Sequence, residues 1–213
     1  MKSEQLIVKS FVFGPFETNT YVVSDDEHIL LVDPACYTEY EQQELEDYIN
    51  QKFEIINHKL SIVATHGHLD HLWGAKWATD RWNTPVLMHE ADIPMAHAMQ
   101  AQYNLFGIRK TAEPFPIETI TNHQSPFTFI HTPGHTPGSI CLYFPNSLIP
   151  NSLTPSFLLS GDTLFQNGYG RTDLPGGNMG QLITSLEKLF TLPPDTRVFP
   201  GHGASTTIGA EKR

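Results

Sequence analysis

Between Thr65 and His71 the chain reads Thr-His-Gly-His-Leu-Asp-His, and no other stretch limits the fold as much. His66, His68, Asp70 and His71 fall within six residues. Neutral imidazole and carboxylate are natural ligands for zinc and similar divalent ions. Ligands this close in sequence need a strand that ends in a turn and aims them at one point. The apolar run from Ser61 to Ala64 is that strand. Gly67 is expected to let the backbone pass close to a metal. Asp70 and His71 are neighbours, so their side chains are expected to diverge, which suits two adjacent metals better than one. A lone histidine belongs to a surface or a cap; three with an aspartate at this spacing point to ligation.

The rest of the chain supports a mixed fold. Its 213 residues suit one domain, 1–213, with a substantial core. Strands are expected over Gln5 to Phe13, Tyr21 to Ser24, Ile29 to Val32, Pro85 to Met88, Phe127 to His131, Ser139 to Phe144, Phe157 to Ser160 and Arg197 to Pro200. Thr38 and Glu41 form a capping-box pattern that opens a helix reaching about Gln51. Leu72, Ala75, Ala78 and Trp82 share a helical face, and Glu90 to Gln102 reads as helical. Asn104 to Asn122 reads as a surface loop and Asn146 to Pro155 as a turn. Asn178 caps a helix whose apolar positions run from Met179 to Phe190, and Pro193-Pro194 stops it. Helices alternating with strands suggest helix layers outside central sheets.

Three later segments repeat the style of a polar residue framed by glycine at a strand end. They are Pro133-Gly134-His135-Thr136-Pro137-Gly138, Ser160-Gly161-Asp162-Thr163 and Pro200-Gly201-His202-Gly203. Each alone is an ordinary turn or cap. With Asp33 and the His66–His71 cluster, and in this order, they resemble the metallo-β-lactamase superfamily. That resemblance implies an α/β (α+β) fold, a four-layer αββα sandwich with metals at the edge between its sheets. It implies two divalent metal ions, zinc first, with iron or manganese as alternatives. His66, His68 and His135 would hold one, and Asp70, His71 and His202 the other. Asp162 would bridge them, and Asp33 would support a ligand from behind.

The stretch from Gly161-Asp162-Thr163-Leu164-Phe165 to Gly170-Arg171-Thr172-Asp173-Leu174-Pro175-Gly176-Gly177 is similar to the short glyoxalase II (hydroxyacylglutathione hydrolase) group. Thr206-Thr207-Ile208-Gly209 fits that group too. The resemblance implies a thioesterase in which a metal-bridging hydroxide near Asp70 and Asp162 attacks a thioester carbonyl. Tyr169 and Arg171 are candidate substrate contacts, although an Arg171–Asp173 ion pair shaping the loop is the plainer expectation. Two departures stand out. Full-length relatives carry a C-terminal helical region with cationic glutathione contacts, and this chain is expected to lack it. Ala35 follows Asp33-Pro34 where the group usually has glycine. A second reading is a persulfide dioxygenase with one iron on His66, His135 and Asp162; a third is a non-catalytic metal-binding module.

Other features narrow the class. A net charge of −10 argues against nucleic acid as a partner. Cys36 and Cys141 form no CxxC pair and fit reduced thiols in the cytoplasm, with Cys141 read as a core residue. No signal peptide and no apolar run long enough to cross a bilayer is read in the sequence, so no membrane partner is expected. His28, His58, His89, His97, His123 and His131 match no motif and read as structural or exposed.

Overall fold

The computed structural model describes residues 6–53, 59–121, 127–146 and 155–212. His58, His123 and most of the Asn146–Pro155 turn lie outside them. Among the described residues the first sheet holds β1 (Ile7–Phe13), β2 (Thr18–Ser24), β3 (His28–Val32), β4 (Lys59–Val63), β5 (Val86–Met88) and β6 (Ile117–Thr119), in that spatial order. β1, β2 and β3 pair antiparallel, and β3 to β6 pair parallel. Parallel neighbours need crossovers. α1 (Glu39–Phe53) links β3 to β4, α2 (Ala75–Trp82) links β4 to β5, and α3 (Ile93–His97) with α4 (Met99–Leu105) links β5 to β6. The capping box opens α1 as expected: the Glu41 N–H donates to Thr38 Oγ1 (3.3 Å), and the Thr38 N–H to Glu41 Oε2 (2.9 Å).

The second sheet comprises β7 (Thr128–His131), β8 (Ile140–Phe144), β9 (Phe157–Gly161), β12 (Arg197–Pro200) and β13 (Thr206–Thr207), in the order β13-β12-β9-β8-β7. A small ribbon of β10 (Leu164–Phe165) and β11 (Gly168–Tyr169) follows β9. α5 (Met179–Leu189) carries the chain to β12, which pairs parallel to β9, and α6 (Ile208–Glu211) follows β13. The Asn178 side chain caps α5 by accepting from the Gln181 N–H (3.0 Å).

Residue parity explains the layers. Successive side chains on a strand point to opposite faces. In β3, Ile29 and Leu31 pack with Leu45, Ile49 and Ala75 of the helices, while Leu30 and Val32 face the second sheet. In β5, Val86 and Met88 go to the helices and Leu87 to the other sheet. In β8 and β9, Leu142 and Leu159 fill the space between sheets, while Cys141 and Leu158 meet Leu182, Leu186 and Leu189 of α5. The result is the four-layer αββα sandwich. Strands buried on both faces read as continuous apolar runs, as Ile29-Leu30-Leu31-Val32 does.

Two expectations change. The helix expected from Glu90 to Gln102 is broken: a 3-10 turn over Glu90–Asp92 leads to α3, and the chain restarts as α4 after Ala98. The Ala98 N–H is shared between the Pro94 and Met95 carbonyls at 3.1 Å each, which tightens the last turn of α3. The surface loop expected over Asn104–Asn122 begins inside α4 and contains β6, three residues paired to β5 with no alternation long enough to signal a strand. Among the described residues no helix is long and apolar enough to cross a membrane.

Candidate metal centre

Every motif residue lies at or just beyond a strand end. β4 ends at Val63, and its extension delivers Thr65, His66 and His68 before a 3-10 turn over Leu69–His71. His135 lies in the turn between β7 and β8, Asp162 follows β9, and His202 follows β12. Backbone bonds hold these ends together across the sheets. The Ile140 N–H donates to the Thr65 carbonyl (2.9 Å), Gly201 N–H to Gly161 O (2.8 Å), and Asn19 N–H to Gly201 O (2.7 Å).

The seven candidate ligands converge. His66, His68 and His135 form one set whose ligand atoms lie within 4.8 Å of one another; Asp70, His71 and His202 form a second; His66, His71 and Asp162 form a third that joins them. Asp162 stands between: Oδ1 is 3.4 Å from His71 Nε2, and Oδ2 is 3.6 Å from both His135 Nε2 and His202 Nε2. Asp70 Oδ2 lies 3.2 Å from His202 Nε2 and 3.4 Å from His71 Nε2. Asp70 and His71 therefore do not diverge. The 3-10 turn tightens the chain so that these sequence neighbours face one point.

The outer hydrogen bonds fix which ring nitrogen faces inward. A carbonyl only accepts, so His135 Nδ1 donates to Arg171 O (2.7 Å) and His202 Nδ1 to Phe16 O (3.0 Å). Thr65 Oγ1 donates to Asp33 Oδ2 (2.7 Å) and so accepts from His66 Nδ1 (3.1 Å). His71 Nδ1 donates to Asp33 Oδ2 (2.9 Å). Four histidines thus turn Nε2 toward the centre, while His68 presents Nδ1, 2.9 Å from His135 Nε2. Asp33 holds both Thr65 and His71 from a left-handed backbone (φ 53°), a conformation an L residue keeps only when its surroundings demand it.

The donor set fits a bound cation. His66 Nε2, His71 Nε2 and Asp162 Oδ1 are buried without a hydrogen-bond partner, the last two near each other but misaligned. Burial and the neighbouring His71 push His66 well below the usual histidine range, and burial with His135 brings His68 down to about 3, so both are neutral ligands. Burial opposes the charge on Asp70 and Asp162, but His71 and His202 outweigh it and keep both carboxylates ionised. Burial likewise lowers His71, but Asp70, Asp162 and Asp33 overcome it and raise its pKa. The centre favours positive charge, which a divalent ion brings.

Several residues at this site carry no signal in the motifs. Asp92, fully buried, accepts from the Gly67 N–H (2.8 Å), Thr136 Oγ1 (2.6 Å) and the Gly138 N–H (2.6 Å). It ties the His66–His68 loop to the His135 loop. Gln102 donates to Gly67 O (2.9 Å) and Met95 O (3.0 Å) and accepts from the Leu69 N–H (3.0 Å). Thr18 Oγ1 donates to Asp70 Oδ2 (3.0 Å). Gly67 has a different reason from the one expected. A Cβ there would sit 3.0 Å from Asp92 O and 3.1 Å from Met95 Cβ, so the close approach is to α3 and the turn before it rather than to the metal side.

A cleft of about 440 Å³ opens over the centre, lined by Phe16, His68, Phe106, Phe165, Tyr169 and Arg171 among others. Tyr169 is half-exposed at its rim. Arg171 forms a two-pronged pair with Asp173 (Nε–Oδ1 2.6 Å, Nη2–Oδ2 2.7 Å) in solvent, and its carbonyl holds His135. His89 and His131, outside the centre, stack on each other at 4.0 Å.

The sequence pattern of the Metallo-beta-lactamase superfamily matches residues 13–202, and the chain belongs to that superfamily. It is 35% identical to "Probable metallo-hydrolase YqgX" of Bacillus subtilis, over 93% of this chain and 91% of that protein. It is 32% identical to "Hydroxyacylglutathione hydrolase GloC" of Haemophilus influenzae, again over 93% of this chain and 91% of that one. A crystal structure of TTHA1623 in a di-iron-bound form superposes with a TM-score of 0.81 at 33% identity, covering 97% of this chain and 98% of that one.

Proposed function

We propose that this chain is a metal-dependent hydrolase of thioesters of the S-acylglutathione type, working as one metallo-β-lactamase-like domain in the cytoplasm. The observation that carries the reading is the pair of three-ligand sets joined at Asp162. His66, His68 and His135 would hold one divalent ion and Asp70, His71 and His202 the other, with Asp162 a ligand available to either. Zinc is the first candidate. The di-iron form of TTHA1623 and the GloC name support, respectively, two metals and this substrate class. The free, buried thiols of Cys36 and Cys141 suit a reducing compartment.

Divalent ions so held bring the pKa of a coordinated water toward neutrality and polarise a carbonyl oxygen. The chain's own part is positional. Asp33, Phe16 O, Arg171 O and Thr65 fix the imidazoles, and Thr18 fixes Asp70. Ionised Asp70 and Asp162 concentrate negative charge where cations must sit. A thiolate leaves without being protonated, so no side-chain acid is required. Tyr169 and Arg171 line the cleft and are proposed as substrate contacts. The substrate is a small molecule, not a nucleic acid.

Elemental analysis of the purified protein, paired with S-D-lactoylglutathione hydrolysis, tests this. Two divalent ions per chain and thioester turnover that chelation abolishes are expected. Turnover that survives metal removal, or faster cleavage of a β-lactam, would overturn it. One iron per chain with oxygen uptake on glutathione persulfide would instead favour a dioxygenase using His66, His135 and Asp162.

A further inference from the structure

We infer that the acyl half of the substrate is apolar and lies in a groove beside the metal cleft, between α3–α4 and the Leu174–Gly176 loop. This rests on the thioesterase reading above and names its substrate class. The groove encloses about 450 Å³, a volume suited to a medium-length alkyl or aryl group. Met95, Ala98, Ala101, Leu105, Phe106 and Leu174 are half of its lining residues, and no Asp, Glu, Lys or Arg lines it among the described residues.

The helix pattern shows that this wall is not core. Met99 and Tyr103 turn one face of α4 into the core. Ala98, Ala101, Gln102 and Leu105, spaced i, i+3, i+4 and i+7, line the groove instead. Leu105 is 63% exposed and Phe106 40%. A second apolar helical face left open to solvent is costly unless something covers it. The groove is also continuous with the metal cleft: His68, Gln102, Phe106 and Leu174 line both. A carbonyl placed at the centre can therefore send its acyl chain past Gln102 into the groove. The other half of the molecule extends toward Phe165, Tyr169 and Arg171, which line the cleft but not the groove. A short hydroxyacyl group would leave the groove wet.

The test is a series of acetyl, butyryl, hexanoyl and octanoyl thioesters of glutathione, with lactoyl for comparison, on the metal-loaded enzyme. Each methylene seated in the groove is expected to raise kcat/KM roughly four-fold, chiefly through KM, until the groove is full. S-hexylglutathione, which cannot be hydrolysed, should bind more tightly than S-methylglutathione in calorimetry, with a negative heat-capacity change. Ala98→Trp should collapse the hexanoyl-to-acetyl ratio of kcat/KM toward one; Ala101→Phe repeats the test on the neighbouring turn should the first variant misfold. A flat series, preference for lactoyl over hexanoyl, or a ratio unmoved in both variants overturns the inference, as does selectivity that follows the thiol half instead. If no thioester of any length is cleaved while S-hexylglutathione still binds preferentially, the thioesterase reading falls and the apolar site stands.

Discussion

His66, His68, Asp70 and His71 leave β4 in one contiguous loop, whereas His135, Asp162 and His202 come from three separate strand ends. The two groups are positioned by different means. The contiguous loop has left its sheet, so its backbone groups need partners from elsewhere. Asp92 and Gln102 provide them from the α3–α4 region, bonding Gly67 N–H, Gly67 O and Leu69 N–H. The dispersed ligands are placed largely by main chain: Gly201 bridges Gly161 and Asn19, and Arg171 O and Phe16 O orient the rings. Side chains add to this, Asp92 at Thr136 and Gly138 and the Asn19 amide at Pro200 O and Gly203 O. A compact ligand cluster thus depends more on a few buried side chains, and a scattered one more on the fold itself.

The largest effect should come from breaking the first kind of support. Asp92→Ala strands the buried Gly67 and Gly138 N–H groups, each worth about 1–3 kcal/mol when left unpaired, and takes an acceptor from Thr136 Oγ1. We expect a loss of about 4 kcal/mol in urea unfolding and a sharp fall in bound metal, with Asp92→Asn between. A loss under about 1 kcal/mol would mean that the loop is held by something other than Asp92.

Next comes Gly201→Ala, which strikes the second kind of support. The added Cβ would collide with Asp162 Oδ1 and lie 2.8 Å from His71 Cε1, while backbone bonds on both sides oppose a shift. Metal affinity should fall roughly 10- to 100-fold, measured against a competing chelator. Wild-type affinity would show that main chain does not fix the scattered ligands.

The same contrast explains how much of the fold and the site is legible in the sequence. Ligands packed into six residues announce themselves, and His135, Asp162 and His202 become visible only jointly and in order. The apolar runs of β3, β8 and β9 reveal the layers because both faces of those strands are buried. Asp92 is hidden. In Glu90-Ala91-Asp92 it looks like an acidic helix start, and its partners lie 25, 44 and 46 residues away. β6 is hidden because a three-residue edge strand has no period to read. The convergence of Asp70 and His71 requires a 3-10 turn that Leu69-Asp70-His71 does not advertise.

A smaller effect links the two supports through Glu41. Its carboxylate accepts from Gly14 N–H (2.8 Å), Tyr37 N–H (2.7 Å) and Thr38 N–H (2.9 Å), and so anchors the turn that presents Phe16 O to His202. Burial raises its pKa, but these bonds outweigh burial and lower it. A depressed carboxylate stabilises the fold above its unfolded pKa, about 4.3, and the gain fades as pH falls through the folded value. Glu41→Gln should therefore be less stable than wild type by no more than about 1 kcal/mol at pH 7, the exposed side of the site limiting the effect. The gap in urea midpoint should close on acidification below about pH 4. A gap that persists there would assign the effect to packing rather than charge.

The smallest effect is the most informative about main chain. Arg171 offers its carbonyl to His135 and, among the described residues, its side chain to Asp173 alone, in open solvent. An exposed pair of this kind contributes little, because water and salt screen it. If the Arg171 carbonyl and not its side chain orients the His135 ring, Arg171→Ala should leave metal content and thermal midpoint unchanged, while any role in substrate contact appears as a rise in KM at constant kcat. Loss of metal in this variant would mean that the Arg171–Asp173 pair shapes the loop enough to aim the carbonyl. The distinction between side-chain support on the first sheet and main-chain support on the second would then fail at its most exposed point.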